Sequence, residues 1–109
     1  MIKAAFFDID GTLMDHSIGQ IPSDTKEALA ELRRSGVKIF TSTGRHLLEL
    51  QELGVTELFF DGHVLLNGQI CLDKEEQLID ACAIPEEDMQ GALRWFDEME
   101  LPVAFVEQK

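Results

Sequence analysis

Residues 4–12 read AAFFDIDGT, an apolar run that ends directly in two carboxylates. The run from Ala4 to Phe7 predicts a strand that is buried on both faces, as in a parallel sheet. Side chains two positions apart in a strand point the same way, so we expect Asp8 and Asp10 to face one volume. A glycine follows them and permits a sharp turn at this end of the strand.

The closeness of Asp8 and Asp10 indicates a metal-dependent site. Two carboxylates in one volume repel each other unless a cation or a shared proton offsets their charge. They also follow a buried strand, and the carboxyl ends of strands are where open α/β sheets bind ligands. The alternative is a solvated Asp-X-Asp-Gly turn without chemistry, which this stretch alone leaves open.

The composition predicts one modest globular unit. The chain has 109 residues, of which 45% are hydrophobic and 28% are charged. Its formal net charge of −12 argues against nucleic acid or an anionic membrane as a partner, because both require basic patches. No signal peptide or membrane span is apparent, so we expect a cytoplasmic protein. Cys71 and Cys82 lack a metal-binding spacing and are expected to be reduced rather than disulfide-bonded.

Helices and strands alternate in the first half of the chain. A helix is predicted to begin at Ser23 or Asp24, with Glu27 completing a capping box on Asp24, and to end at Gly36. Three elements then follow, namely a strand at 37–41, a short helix at about 46–53 and a strand at 58–60. This alternation predicts an α/β fold with a partial, Rossmann-like parallel sheet and right-handed crossovers.

The pattern changes at Asn67-Gly68, which predicts a domain boundary between a core at 1–68 and the start of an α/β cap at 69–109. The second part is predicted to hold two antiparallel strands, a helix that follows Pro85, and a last strand. The three strands are expected at 69–72, 78–84 and 103–106. The helix carries an apolar stripe that is expected to pack in the core, formed by Met89, Ala92, Leu93, Phe96 and Met99.

A second candidate motif reads TSTGR at residues 41–45, where the second predicted strand ends and a helix begins. A hydroxyl, a flexible glycine and unpaired amides at a helix start suit an anionic oxygen. By itself, Thr-Gly-Arg is more typical of a helix N-cap. The interpretation as an anion site is favoured here because neighbouring parallel strands would place this motif beside Asp8 and Asp10.

Together, the DIDGT sequence at 8–12, Thr-Gly-Arg at 43–45 and Asn67-Gly68 resemble the Cof-type branch of the haloacid dehalogenase superfamily of phosphatases. In that branch an α/β cap is inserted after the Asn-Gly pair. The resemblance implies a Mg²⁺-dependent hydrolase that acts on a small phosphorylated metabolite through an aspartyl-phosphate intermediate.

The resemblance also implies a role for each matching residue. Asp8 would be the nucleophile and Asp10 the general acid and base, and both would bind Mg²⁺, Asp10 through its carbonyl oxygen. Gly11 and Thr12 would shape and brace the loop. The substrate phosphate would be bound by Thr43, Gly44, Arg45 and Asn67.

For three side chains, other expectations apply. Arg45 is about equally compatible with a structural salt bridge. His16 is expected to lie in a solvated loop, and His63 receives no functional role.

The chain departs from the family in one respect. The family carries a third motif with a lysine and a fourth with acidic metal ligands, and neither is present before Lys109. We therefore expect the N-terminal part of a longer phosphatase, whose strand at 4–7 could self-associate through an exposed edge. A non-catalytic phosphate- or metal-binding module and a receiver-like phospho-acceptor remain as alternative functions.

Overall fold

The computed structural model describes residues 1–107, which form a five-stranded sheet, three α-helices and two short 3₁₀ turns. Among these residues, no helix has both the length and the apolar character needed to cross a membrane. The strands are β1 (Ala4–Phe7), β2 (Lys38–Ser42), β3 (Gly62–Leu65), β4 (Ile70–Asp73) and β5 (Leu78–Ala81). The helices are α1 (Ser23–Arg34), α2 (Leu47–Glu52) and α3 (Glu86–Glu98), and the 3₁₀ turns are Val55–Glu57 and Leu66–Gly68.

The strands follow one another in the sheet in chain order, from β1 at one edge to β5 at the other. β1, β2 and β3 are parallel, and β4 and β5 are antiparallel to their neighbours. The α/β fold with a partial parallel sheet is therefore confirmed. Phe7 pairs with Thr41, so the carboxyl ends of β1 and β2 lie side by side as the sequence predicts.

One face of the sheet is packed and the other is open to solvent. On β2, Ile39 and Thr41 are 1% and 0% exposed, whereas Phe40 between them is only partly buried. On β1, Phe6 is 58% exposed and stacks on Phe40 with the ring centroids 4.7 Å apart. The prediction that β1 is buried on both faces is therefore wrong, because β1 lies at an edge and packs through one face only.

The third strand begins later than the sequence predicts. Residues 58–60 form no strand, although Phe60 is buried in the core. The chain joins β2 only at Asp61, whose backbone N–H donates to the Ile39 carbonyl at 2.7 Å. The Asp61 carboxylate also accepts the Ile39 N–H at 2.9 Å, so this residue fixes the point of entry into the sheet.

Two other local predictions are wrong. The N-cap of α1 is Pro22, which has no side-chain acceptor, and the Asp24 carboxylate accepts the adjacent Thr25 N–H instead of forming a capping box. Residues 103–106 form no strand, because no other strand of the described chain lies beside them. The left-handed Gly36 and the acidic first turn of α3 after Pro85 are as predicted.

The apolar stripe of α3 does not enter the core, which corrects the expectation that it packs there. None of its side chains is fully buried, and Met89, Leu93 and Phe96 are partly buried beside residues 103–107. Together these residues border an apolar groove of about 530 Å³. β4 and β5 belong to the same sheet as β1, and the proposed domain boundary at residue 68 stays a prediction.

Candidate active site

The turn after β1 is anchored by Ile9, which is completely buried between the exposed Asp8 and the partly buried Asp10. The Ile9 carbonyl accepts backbone N–H groups from residues 12, 13 and 14 at 3.3, 3.1 and 2.8 Å. Gly11 makes this tight turn possible because it adopts a φ of +76°. Burial of Ile9 thus keeps both neighbouring carboxylates outside the core.

The carboxylate of Asp10 is engaged on both oxygens. Arg45 donates from Nε to Oδ2 and from Nη2 to Oδ1, each at 2.8 Å, and His16 Nε2 lies 2.8 Å from Oδ1. The hydrogen bond from Arg45 is the main reason why the pKa of Asp10 falls from 3.8 to about 2. Conversely, the Asp10 carboxylate raises the pKa of the Arg45 guanidinium above its usual range.

Arg45 is held from a second side by Glu49 of α2. Its Nη1 donates to Glu49 Oε1 at 3.3 Å, while Glu49 Oε2 accepts the His46 backbone N–H at 2.8 Å. The His46 side chain accepts the Leu48 N–H, which completes a capping box at the start of α2. The helix start and the guanidinium are therefore fixed by the same carboxylate.

The loop after β2 is folded against the end of β3. Thr43 is 5% exposed, its N–H donates to the Val64 carbonyl at 3.0 Å, and its Oγ1 accepts the Arg45 N–H at 3.1 Å. Asn67 donates its backbone N–H to the Thr43 carbonyl at 3.1 Å, and its Oδ1 lies beside Gly44. Residues 43–45 thus form a compact loop next to the turn that carries Asp10.

The structure brings most of the predicted site residues into two groups. Asp10 meets Arg45 across the tips of β1 and β2, and Thr43 and Gly44 contact Asn67. The remaining members of the first motif lie on the turn, where the Thr12 side chain is exposed. Arg45 forms a salt bridge with Asp10, and its expected contact with the substrate phosphate stays a prediction.

His16 lies in a solvated loop as predicted, with its side chain 54% exposed, and the structure adds a contact of its Nε2 with Asp10 Oδ1 at 2.8 Å. Its contact depends on a loop that doubles back, in which the Asp15 N–H donates to the Gln20 carbonyl at 3.1 Å. The sequence offers no signal for this beyond the position of His16 six residues after Asp10. His63 lies elsewhere: its Nδ1 is 2.8 Å from Thr41 Oγ1, and burial lowers its pKa below 6.5.

Two oxygen groups in the turn after β1 suit a small, hard cation. The Asp8 carboxylate is exposed, and its Oδ1 accepts only the neighbouring Ile9 N–H among the described hydrogen bonds. The Asp10 carbonyl is the second ligand that the family resemblance implies, and this role stays a prediction. Mg²⁺ in proteins uses one or two carboxylates and keeps several waters. Within residues 1–107, no group of three or more acidic, histidine or cysteine side chains is placed to hold a metal.

Comparisons with known proteins identify the family of this chain. A sequence profile of the haloacid dehalogenase-like hydrolase family matches residues 5–109. YkrA of Bacillus subtilis (strain 168) is 36% identical over 104 residues, which cover 95% of this chain and 39% of YkrA. The HMP-PP phosphatase of Yersinia pestis (strain Pestoides F) is 34% identical over 97 residues, covering 86% of this chain and 34% of that protein.

Among solved structures, the sugar phosphatase BT4131, of subclass IIB in this superfamily, is similar with a TM-score of 0.81 and 39% identity. The match covers 97% of this chain and 41% of BT4131. The chain therefore spans about two fifths or less of the length of each of these relatives. The resemblance to the Cof-type branch is confirmed over the N-terminal portion of such proteins, and the chain belongs to the haloacid dehalogenase-like hydrolase family.

Proposed function

We propose that the protein carrying this sequence hydrolyses a phosphate monoester through an aspartyl-phosphate on Asp8. The observation that supports this most strongly is the ion pair between Asp10 and Arg45. It joins the carboxylate turn after β1 to the Thr43–Arg45 loop after β2, so a phosphoryl group can meet both. An exposed carboxylate at Asp8 is accessible to such a group.

In the first step, the Asp8 carboxylate forms a bond to phosphorus while the bond between phosphorus and the ester oxygen breaks. Asp10 gives a proton to the departing oxygen, which leaves as an alcohol. In the second step, Asp10 takes a proton from water, whose oxygen attacks phosphorus and releases Asp8 and inorganic phosphate. Because the hydrogen bonds from Arg45 lower the pKa of Asp10, we propose that Arg45 turns to the phosphate when Asp10 takes up its proton.

The loop after β2 would bind the non-reacting phosphate oxygens. The Thr43 hydroxyl accepts the Arg45 N–H through a lone pair, which leaves its own hydrogen available for an anionic oxygen. Arg45 offers a guanidinium that binds phosphate in the same forked geometry in which it binds the Asp10 carboxylate. A phosphate dianion would therefore compete with Asp10 for this side chain.

Mg²⁺ held by the Asp8 carboxylate and the Asp10 carbonyl would neutralise part of the negative charge between the nucleophile and its anionic target. We propose a small phosphorylated metabolite as the substrate class, because the relatives include an HMP-PP phosphatase and a sugar phosphatase. We also propose that the protein is located in the cytoplasm.

The test is Mg²⁺-dependent hydrolysis of an aryl phosphate, measured on this chain and on a longer protein that contains it. Asp8→Asn is expected to abolish turnover, because the amide cannot attack phosphorus. Asp15→Asn serves as the matched control, since Asp15 lies in the same loop and its carboxylate accepts hydrogen bonds from Ser17 rather than from Arg45. Turnover that survives Asp8→Asn would overturn the proposed mechanism.

One observation favours a second function, a non-catalytic module that binds phosphate or metal. Both oxygens of Asp10 are engaged by Arg45 and His16, an arrangement that does not favour proton transfer by Asp10. Phosphate binding without turnover in the longer protein would support this function.

We also propose that the isolated chain self-associates through β1, which lies at the sheet edge with Phe6 exposed. Light scattering at increasing concentration is expected to show mass growth that Phe6→Lys reduces. Ile18→Lys is the control, because Ile18 is also an exposed apolar side chain, 53% exposed, but lies in a loop. A monomer at every concentration would contradict this proposal.

A further inference from the structure

Three consecutive residues at the end of β3 adopt left-handed backbone angles. The φ values are +49° for Leu66, +55° for Asn67 and +94° for Gly68. Glycine and asparagine tolerate this region, but a bulky leucine rarely does. Such a conformation persists only where the surrounding contacts hold it.

Two backbone hydrogen bonds tie this turn to the loop after β2, and a third, from the Gln69 N–H to the Leu66 carbonyl at 3.2 Å, closes the turn itself. The Leu66 N–H donates to the Arg45 carbonyl at 3.2 Å, and the Asn67 N–H donates to the Thr43 carbonyl at 3.1 Å. The two acceptors, Thr43 and Arg45, flank Gly44 in the sequence. The left-handed turn therefore fixes the backbone on either side of that glycine.

The side chain of Asn67 occupies the remaining space at Gly44. A Cβ placed on Gly44 would lie 3.1 Å from Asn67 Oδ1 and 3.5 Å from Nδ2. Because 3.1 Å is tighter than nine in ten real contacts of a Cβ atom, a side chain at residue 44 would require Asn67 to shift by a few tenths of an ångström. Gly44 thus allows Asn67 to lie directly against the loop.

We infer that Asn67 is a positioning residue for the Thr43–Arg45 loop and acts through Gly44 instead of contacting the substrate phosphate. This inference rests on the proposed phosphate-binding role of that loop, and it differs from the role that the family resemblance implied for Asn67. The left-handed turn sets the direction of the Thr43 and Arg45 carbonyls. The Thr43 hydroxyl and the Arg45 side chain are thereby presented to one anion.

A double-mutant cycle on this chain tests the inference. Asn67→Gly removes the side chain but keeps the left-handed backbone without strain, because glycine adopts a positive φ readily. Gly44→Ala introduces the Cβ that meets Asn67. Gly91→Ala is the control, since a Cβ at Gly91 has no atom within 4 Å.

The measurements are the amide resonances of Thr43 and Arg45 and the affinity for inorganic phosphate. Gly44→Ala is expected to shift both resonances and to weaken phosphate binding about 10-fold or more. Asn67→Gly alone is expected to shift the same resonances. In the double variant, phosphate affinity should be no lower than in Asn67→Gly, because the clash is gone.

The inference is overturned if Gly44→Ala has the same effect in both backgrounds, or if Asn67→Gly leaves the Thr43 and Arg45 resonances unchanged. If Gly44→Ala fails to fold, the outcome still follows from Asn67→Gly and from whether the double variant recovers the fold. Absence of phosphate binding by the unsubstituted chain would count against the proposed function of the loop. Coupling between the two substitutions would then still be judged from the resonances alone.

Discussion

The helices α1 and α3 have nearly the same length but different surroundings. α1 has 12 residues, packs on β2 and buries Leu29, whereas α3 has 13 residues and buries none. The buried hydrophobic side chains of the described chain all lie between Ile9 and Leu72. An amphipathic sequence therefore predicts a helix, but burial requires a second layer of structure that faces it.

A similar contrast separates the two faces of the sheet. The face that carries Ile39 and Thr41 is closed by the rest of the core, while the face that carries Phe6 and Phe40 is open. The proposed phosphate site lies at the carboxyl ends of β1 and β2, which are adjacent in the sheet. The region of residues 4–73 thus behaves as a core, and the region of residues 84–107 as a partly packed extension.

The largest expected difference between the two regions concerns matched leucines. Leu50→Ala should lower the free energy of unfolding by about 2–5 kcal/mol, because Leu50 is fully buried and its loss leaves a cavity. Leu93→Ala in the partly buried stripe of α3 should cost about 1 kcal/mol or less. Urea denaturation measures both, and equal losses would show that α3 belongs to the same cooperative core.

A matched pair of glycines should give opposite signs. A Cβ at Gly62 would lie 2.8 Å from the Leu72 carbonyl oxygen and 3.2 Å from the Phe40 ring, so Gly62→Ala should cost about 1–3 kcal/mol. Gly91→Ala in α3 has open space and should stabilise the helix by about 0.5–1 kcal/mol. Thermal unfolding compares them, and a stable Gly62→Ala variant would contradict the close packing of β3 on β4.

The core region also contains a buried titratable group. Burial lowers the pKa of His63 below 6.5, so the folded chain binds this proton more weakly than the unfolded chain. The stabilisation is complete above about pH 6.5 and is lost as the pH falls toward the lowered pKa. Unfolding of His63→Gln should depend less on pH across this window than unfolding of the unsubstituted chain, and His16→Gln is the exposed control.

The smallest expected effect concerns the ion pair between Asp10 and Arg45. Both side chains are partly exposed, at 38% and 31%, so a double-mutant cycle should give a coupling of about 0.5–1 kcal/mol that decreases with salt. The more exposed pair of Arg34 and Glu31 should give less than about 0.5 kcal/mol. A coupling energy of zero for Asp10 and Arg45 would contradict the ion pair as a link between the turn after β1 and the loop after β2.

The sequence predicted features that depend on local chemistry. The carboxylate turn followed from a hydrophobic run ending at Asp8, and the start of α3 followed from Pro85 and the acidic residues after it. Neighbouring placement of β1 and β2 followed from the short helical crossover between them.

Features that depend on distant partners were not predictable. The run at 58–60 is as apolar as a strand, but only Phe60 enters the core, and the hydrogen bonds to β2 begin at Asp61. His16 reaches Asp10 only because its loop doubles back. The burial of α3 depends on what faces it, which no periodicity within the helix can reveal.

The most direct test of the central claim is to trap the covalent intermediate. A longer protein that contains this sequence is mixed with Mg²⁺ and an aryl phosphate, quenched in acid during turnover and mapped by peptide mass spectrometry. We expect one phosphoryl group on Asp8, and we expect no such group in the Asp8→Asn variant. A phosphoryl group on another residue, or steady turnover with no phosphorylated aspartate, would contradict it.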